Sequence, residues 1–420
     1  MFTPIFDTRA EFISCSEDQY LADRPELVRY LNSFDGSVDV WGDYRAARGF
    51  LKSNSRVETT YNNYRTQVER LLMWCWLKRK KPFRELLRSD VEAFLDFCCN
   101  PDPEWIGTAI KGRFILSEGV FIPNAEWRPF SKRVPKSKAK LAAENLTELP
   151  APAFSMSAGS IRQVYAAMNS LFSFCNNELL MSTNPCLQLG KNKSQWTSRT
   201  LQIPKSKAIT KLQWEFVIET AEEMADESPA TFERTLFIIV MMISCYLRVS
   251  DLAGNAGWQP TMGCFVKGND GWWYHVVGKG NVHDKVAVKP DCMTYLARYR
   301  RHLNLPPTPS PGETEPLLRT KSGRSGLTAR QIRRDVQKVL DRALAKMIKA
   351  DFSEEEVDSL RSATLHWFRH TGATFDAPYR NPKNLQMDMR HKRMSTTQDI
   401  YYNAQDDERI AEVARLTVKR

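Results

Sequence analysis

The apolar run "TLFIIVMMISCYL" (residues 235–247) contains no charged side chain. A membrane span needs about 20 such residues, so this run is too short to cross a bilayer. A helix that is apolar on every side is instead buried by other elements. The sequence therefore predicts a helix that is buried on all sides, and it indicates no membrane role.

Apolar side chains also recur at helical spacing between residues 36 and 190. Such faces predict amphipathic helices that share a core. The three clearest faces are Tyr61, Tyr64, Val68, Leu71, Leu72 and Cys75; Val91, Phe94, Leu95 and Cys98; and Ile161, Val164, Tyr165, Met168, Leu171 and Phe172. Between the last two faces, "RFILSEGVFIP" (113–123) predicts a small β-hairpin.

The length of 420 residues predicts two or three domains. Residues 1–35 show no strong period and are expected to form an N-terminal extension. A helical domain at 36–190, with an insertion around 100–155, is followed by a polar, basic linker at 191–209. A second, mainly helical domain over 210–402 is interrupted by "GWWYHVVGKGNVHDKVAVKP" (271–290), which predicts a β-hairpin with "GKGN" at its turn.

Lysine and arginine exceed aspartate and glutamate by 60 to 49, giving a net charge of +11. Such an excess favours a nucleic-acid partner, although it also fits a merely soluble basic protein. The linker residues Lys191, Lys193, Arg199, Lys205 and Lys207 are expected to contact a DNA backbone. For Lys132, Arg133 and Lys136 in "SKRVPKSKAK" (131–140), phosphate contact and a solvated loop are both open.

The nine cysteines include no CxxC pair, so neither a disulfide framework nor a zinc-finger spacing is indicated. The N-terminus lacks the basic and apolar regions of a signal peptide. These features predict a cytoplasmic protein, associated with the nucleoid when bound to DNA.

Four short stretches carry candidate chemistry. "CYLRVSDLAG" places Asp251 three residues after Arg248, where it is expected to fix the guanidinium; a structural ion pair is the alternative. Lys279 stands between glycines in the hairpin turn. The other two stretches are "LHWFRHTGAT", with His366, Arg369 and His370, and "MRHKRMSTTQDIYYNA", with His391, Tyr401 and Tyr402.

The histidines allow a second interpretation. His366 and His370 are one helical turn apart and could bind zinc with His391 as a third ligand. The glutamate of an HExxH motif is absent, and Trp367 and Phe368 stand between the two histidines. No metal site and no cofactor are therefore expected.

Together and in this order, the four stretches resemble the tyrosine recombinase (phage integrase) family, with its "LRxSEL"-like motif, hairpin lysine, "HxxRHT" and "LGHxxxxTT…Y". The resemblance is strong over 245–402 and weaker over 36–190, which is similar to the family's core-binding domain. It implies a mainly α-helical, two-domain DNA clamp with a small β-hairpin sheet in the catalytic domain. The implied active site is Arg248, Lys279, His366, Arg369, His391 and Tyr401, with Asp251 in support.

The resemblance implies a metal- and ATP-independent DNA strand transferase. Two guanidiniums, of Arg248 and Arg369, would hold the phosphate oxygens while Tyr401 forms a 3′-phosphotyrosyl link. His366 would accept the phenol proton, and Lys279 would supply one to the departing 5′-oxygen. His391 is expected either to donate a hydrogen bond to the phosphate or to orient Tyr401.

The implied function is site-specific recombination of duplex DNA, as the integrase of a mobile element, by four protomers on two sites. Accessory DNA-bending or directionality proteins are further expected partners. The tail at 403–420 is expected to dock on a neighbouring protomer or to pack on its own domain. Alternatives are a type IB topoisomerase-like enzyme and a non-catalytic, sequence-specific DNA-binding protein on the same fold.

Three features depart from the family pattern. Arg390 replaces the usual glycine before the histidine, and Asp251 stands where glutamate is commoner. The insertion around 100–155 is longer than a minimal core-binding domain needs. These departures bear on the geometry near His391 and on the subfamily.

Overall fold

A computed structural model describes residues 2–148, 151, 153–197, 208–255, 257–278, 282–320, 322–398, 400 and 413. The chain divides into two compact units, Met1–Ala142 with Leu146–Ile203 and Ala143–Asn145 with Pro204–Arg420. It is mainly α-helical with small sheets, as the sequence predicted. No helix in the described ranges is long and apolar enough to cross a membrane. The finer domain boundaries stay predictions.

The first unit is built mainly from helices that bury the predicted apolar faces. Val68, Leu71, Val91, Phe94 and Ile161 are all essentially inaccessible, which confirms those faces as core. The helices up to residue 197 are α1 (Arg9–Ile13), α2 (Glu17–Ala22), α3 (Pro25–Asn32), α4 (Val40–Ser53), α5 (Glu58–Trp74), α6 (Arg88–Cys99), α7 (Lys136–Glu144), α8 (Ala158–Asn177) and α9 (Ser194–Thr197).

Short strands occupy the predicted insertion. β2 (Phe114–Ser117) pairs antiparallel with β3 (Val120–Pro123), which confirms the hairpin. β1 (Ile106–Gly107) pairs in parallel with β4 (Phe130–Ser131). The segment 131–140 is not a loop throughout, because α7 begins at Lys136.

The prediction of a separate extension over residues 1–35 is corrected. Ile5, Phe6 and Phe12 are buried in the core of the first unit. The Glu69 carboxylate accepts the backbone N–H groups of Ile5 and Phe6 at 3.0 and 2.8 Å. Helices α1, α2 and α3 have only 5, 6 and 8 residues, too short for a helical period to emerge from the sequence.

The predicted linker at 191–209 is partly folded. The indole of Trp196 in α9 is buried and donates to the Asp96 carboxylate at 2.6 Å. The expected DNA contacts Arg199, Lys205 and Lys207 lie outside the described residues. The backbone at Lys191 and Lys193 belongs to a 3₁₀ segment, Leu187–Lys193.

The second unit surrounds the apolar helix α11 (Pro229–Ser244), as predicted. All residues from Thr235 to Leu247 are buried. The helices α10 (Lys211–Glu227), α13 (Pro290–His302), α14 (Ala329–Lys349) and α16 (Leu365–Asp376) pack against it. The remaining helices are α12 (Val249–Ala253), α15 (Glu354–Ser362) and α17 (Pro382–Met389).

A three-stranded antiparallel sheet completes this unit. It consists of β5 (Phe265–Lys267), β6 (Trp272–Val277) and β7 (His283–Val288), with β6 in the middle. Strands β6 and β7 confirm the hairpin predicted at 271–290.

The backbones of α16 and α11 approach closely at Gly372. A Cβ atom at this position would overlap the main-chain oxygen of Ile243. The neighbouring Thr371 hydroxyl accepts the backbone N–H of Ile209 at 3.1 Å. Together these contacts hold α16, which carries His366 and Arg369, in position.

We expect Gly372→Ala to destabilise the second unit by about 1–3 kcal/mol, because the added methyl group forces two packed helices apart. The measurement is the free energy of unfolding of the full chain, followed by circular dichroism.

Gly49→Ala is the matched control, since Gly49 lies inside α4 and its Cβ would meet the Phe174 ring at an ordinary 3.5 Å. Alanine there should stabilise by about 0.5–1 kcal/mol. Equal changes in the free energy of unfolding for the two substitutions would contradict the close approach of the helices at Gly372.

Candidate active site

The Arg369 guanidinium joins three segments that are distant in sequence. Its side chain projects from α16 and the residue is only 1% exposed. Nη1 donates to the carbonyl oxygen of Tyr246, and Nη2 donates to the carbonyl oxygen of Met389. These carbonyls stand two residues before Arg248 and His391, so one side chain sets the position of both candidate residues.

Arg248 lies beyond the C-terminal end of the buried helix α11. Helix α11 ends at Ser244, and Tyr246 adopts a left-handed conformation with φ of 49°. The Tyr246 hydroxyl donates to Asp376 and accepts from Arg380 at 3.2 Å. After this bend Arg248 caps α12, and its Nη2 lies 3.4 Å from the Arg390 carbonyl oxygen.

Asp251 does not fix the Arg248 guanidinium, which corrects the expectation from sequence. Its carboxylate accepts the backbone N–H of Arg248 at 2.6 Å and pairs with both terminal nitrogens of Arg390. An acidic side chain in the first turn of a helix commonly bonds back to the cap N–H in this way. The Arg390 and Asp251 side chains are 5% and 2% exposed, so the ion pair is buried.

His391 is held through its ring and its backbone. Nδ1 lies 3.0 Å from the Thr397 hydroxyl, which is fully buried. The backbone N–H and carbonyl of His391 both bond to Gln386, at 3.1 and 3.0 Å. Sequence reasoning missed Thr397, although it is the second threonine of the quoted "TT" motif.

His366 and His370 form a pair on α16. Their Nε2 atoms are 3.1 Å apart, and the rings meet edge-on with centroids 4.8 Å apart. Across the described ranges, no group of three histidine, cysteine, aspartate or glutamate residues is arranged to hold a metal ion. The structure therefore offers no support for the zinc alternative.

Two predicted catalytic residues, Lys279 and Tyr401, lie outside the described part of the chain. Tyr402, the competing tyrosine, is outside it as well. The last residue described before the two tyrosines is Ile400, whose side chain is buried in the core of the second unit.

Of the predicted DNA contacts at 131–140, Lys132 and Arg133 lie between β4 and α7, and Lys136 lies in α7. The Lys132 backbone N–H donates to the Gly107 carbonyl at 2.8 Å, and Lys136 begins α7. Arg133 is exposed and lines a pocket of the first unit.

Comparison with known proteins bears on the fold. No protein family model matches the chain, and no curated protein sequence matches it. Among solved structures it is similar to the XerH site-specific recombinase bound to difH substrate in a pre-cleavage complex, at 14% identity and a TM-score of 0.51. It is also similar to a post-cleavage XerH complex with a palindromic difH substrate, at 14% identity and a TM-score of 0.52. Both likenesses cover 99% of each chain.

The chain has the tyrosine recombinase fold. This confirms the fold that the four motifs implied, over both units.

Positive charge is concentrated at the centre of the second unit of this recombinase fold. Burial, together with the nearby cations Arg248 and Arg390, lowers the pKa of Arg369 to about 9. Burial and Arg390 also lower the pKa of Arg248, against the opposing effect of Asp251. Three guanidiniums around one buried carboxylate make this centre favourable for an anion.

His391 is neutral at physiological pH in this environment. Burial lowers its pKa to about 4, and the charges of Arg369, Arg248, His370 and Arg390 act in the same direction. When the Thr397 hydroxyl donates to Nδ1, the ring proton resides on Nε2, which is then a hydrogen-bond donor.

We expect the ring of His391 to stay uncharged in the folded protein until the pH falls to about 4. The unfolded chain binds this proton near pH 6.5. The stability that the neutral ring contributes is therefore complete above pH 6.5 and is lost as the pH falls from 6.5 to 4. Because the ring is half-exposed, the resulting loss in the free energy of unfolding is roughly 1–2 kcal/mol.

NMR titration of the histidine ring protons measures this pKa, with His391→Gln assigning the resonance. A His391 midpoint near 6.5 in the folded state would contradict the description of this environment.

Arg390 has a left-handed backbone with φ of 52°, the conformation that glycine adopts without strain. Arg390→Gly should relieve about 1–2 kcal/mol of backbone strain but leave Asp251 buried without its partner, at a cost of about 3–5 kcal/mol. We therefore expect a net loss of stability. Adding Asp251→Asn should recover part of it, which a double-mutant cycle of unfolding free energies measures.

Arg342→Gln is the matched control, because Arg342 forms a similar two-bond pair with Glu227 whose side chains are 39% and 55% exposed. This substitution should lower the free energy of unfolding by no more than about 1 kcal/mol. Strictly additive effects at Arg390 and Asp251 would show that the buried pair contributes no coupling.

Proposed function

We propose that this protein is a site-specific tyrosine recombinase that cuts and rejoins duplex DNA through a 3′-phosphotyrosyl intermediate. The observation that carries the proposal is the Arg369 guanidinium, which holds the segments of Arg248 and His391 against α16. Three of the four motifs, at 245–254, 365–374 and 389–398, thereby contribute to one cationic centre in the part of the chain that is described.

The reaction first requires a site that binds the negatively charged phosphodiester. Attack on a phosphodiester develops charge on the two nonbridging oxygens, and the planar guanidiniums of Arg248 and Arg369 match those oxygens. Even with its pKa lowered to about 9, Arg369 remains charged near pH 7. The neutral His391 donates a third hydrogen bond from Nε2.

Proton transfer completes the step. The Tyr401 oxygen forms a bond to phosphorus while the bond from phosphorus to the 5′-oxygen breaks. His366 accepts the phenol proton, and its contact with His370 at 3.1 Å holds the accepting ring in place. Lys279 supplies a proton to the departing 5′-oxygen, so the covalent intermediate keeps the bond energy for rejoining.

The proposed substrate and assembly follow from this chemistry. A net charge of +11 suits duplex DNA, and the similar XerH structures are complexes of a site-specific recombinase with difH substrate. The proposed physiological reaction is integration or excision of a mobile element by four protomers on two sites.

The decisive experiment traps the covalent intermediate on nicked duplexes that span the flanks of the protein's own gene. We expect a denaturant-resistant, protease-sensitive DNA adduct that Tyr401→Phe abolishes and the control Tyr402→Phe retains. Loss only with Tyr402→Phe would assign the nucleophile to the second tyrosine.

Tight DNA binding without an adduct from any version would instead favour a non-catalytic DNA-binding protein. Relaxation of supercoiled DNA without a preferred site would favour the topoisomerase-like alternative.

Arg369→Lys should slow adduct formation by about 10²–10³-fold, because an ammonium replaces the fork that bonds two carbonyls and the phosphate. Single-turnover adduct formation measures this rate.

Arg300→Lys is the matched control, since Arg300 is equally buried in the same unit but pairs with Glu313. Similar rates for the two variants, at matched stability, would argue against phosphate binding by Arg369.

A further inference from the structure

The first unit contains a cationic pocket at the place where the insertion packs on α5. Its volume is about 240 Å³. Two arginines of α5 and four basic residues of the insertion line it, together with a single carboxylate, that of Glu69. The basic residues are Arg65, Arg70, Lys111, Arg113, Arg128 and Arg133.

Two of these guanidiniums are fixed in place. Arg70 donates from Nε to the Pro129 carbonyl at 2.9 Å, and its guanidinium stacks 4.4 Å from the Phe130 ring centroid. Arg128 donates from Nη1 to the carbonyls of Ala125 and Trp127, both at 2.8 Å. Donors held in this way lose little conformational entropy when a ligand binds.

The lining carboxylate does not balance this charge. One oxygen of Glu69 accepts the N–H groups of Ile5 and Phe6, and the other pairs with Arg113 at 2.5 Å. Lys111 pairs with Glu126, again at 2.5 Å. Neither carboxylate reaches the guanidiniums of the remaining arginines at hydrogen-bond distance.

Two of the lining arginines also carry a donor without an acceptor. The Nε atoms of Arg65 and Arg113 are buried and have no hydrogen-bond partner within the described residues. Burial, together with the charges of Arg113 and Arg133, lowers the pKa of Arg70 to about 10. Like charges packed this closely, with donors left over, are stabilised by an anion.

We propose that this pocket binds a phosphate oxyanion. Guanidinium forks match the spacing of phosphate oxygens, and the basic side chains that line the pocket outnumber its one lining carboxylate by six to one. The oxyanion comes either from free phosphate or a phosphomonoester, or from a DNA backbone. The free-anion source is independent of the proposed recombination, whereas the backbone source rests on it.

The first test is a calorimetric titration of the full chain with inorganic phosphate, at constant ionic strength set with chloride. Arg128→Gln combined with Arg133→Gln should weaken phosphate binding by about tenfold or more, because each is a charged hydrogen-bond donor. Replacing both residues by lysine should restore part of the affinity, and thermal unfolding verifies that every variant is folded.

The control combines Arg29→Gln with Arg45→Gln, which removes the same charge from the first unit. These side chains are 74% and 69% exposed and do not line the pocket. This double variant should bind phosphate as the wild-type protein does.

The second test separates the two sources by measuring duplex DNA affinity against salt concentration. Each arginine that binds a backbone phosphate adds about 0.9 to the steepness of log affinity against log salt. When the oxyanion belongs to DNA, the pocket variant should therefore show a shallower slope than the wild-type protein, and the control should keep the wild-type slope.

Weaker phosphate binding with an unchanged DNA slope would support the free anion, and a shallower slope without phosphate binding would support the backbone. Pocket and control variants that behave alike in both assays would overturn the proposal. The phosphate titration requires no cleavage, so its result stands whether or not Tyr401 forms an adduct.

Discussion

The second unit depends on one buried hydrogen-bonded charge, the guanidinium of Arg369. Burying a cation is costly unless its donors find acceptors, and here the carbonyls of Tyr246 and Met389 meet that need. Because both carbonyls lie just before other site residues, Arg369 sets the backbone path on either side of the centre. Close packing of α16 on α11 at Gly372 supports the same arrangement.

Arg390 explains how an arginine can stand where the family resemblance calls for glycine. Its left-handed backbone carries strain, but its side chain forms a buried ion pair with Asp251. Asp251 also bonds to the backbone of Arg248, whose side chain in turn reaches the Arg390 carbonyl. The departure therefore adds a third guanidinium to the centre without leaving it unpaired.

Local patterns predicted much of this molecule. Helical faces such as Val68 with Leu71, the hairpin at 113–123 and the buried helix at 235–247 all appear as expected, because each depends on a period within one segment. Residues 1–35 escaped prediction since their helices are too short to show a period. Thr397 escaped it because the "TT" motif does not show which threonine contacts the His391 ring.

The sequence by itself determined the mainly helical fold class and the positions of the hairpins, and it supplied the prediction of the catalytic residues. Only the tertiary structure decided which side chains become partners. The Asp251 carboxylate bonds a guanidinium 139 residues away, and the insertion completes a cationic pocket with arginines of α5. Such pairings depend on how whole elements pack, whereas a periodic pattern reports only which face of one element is buried.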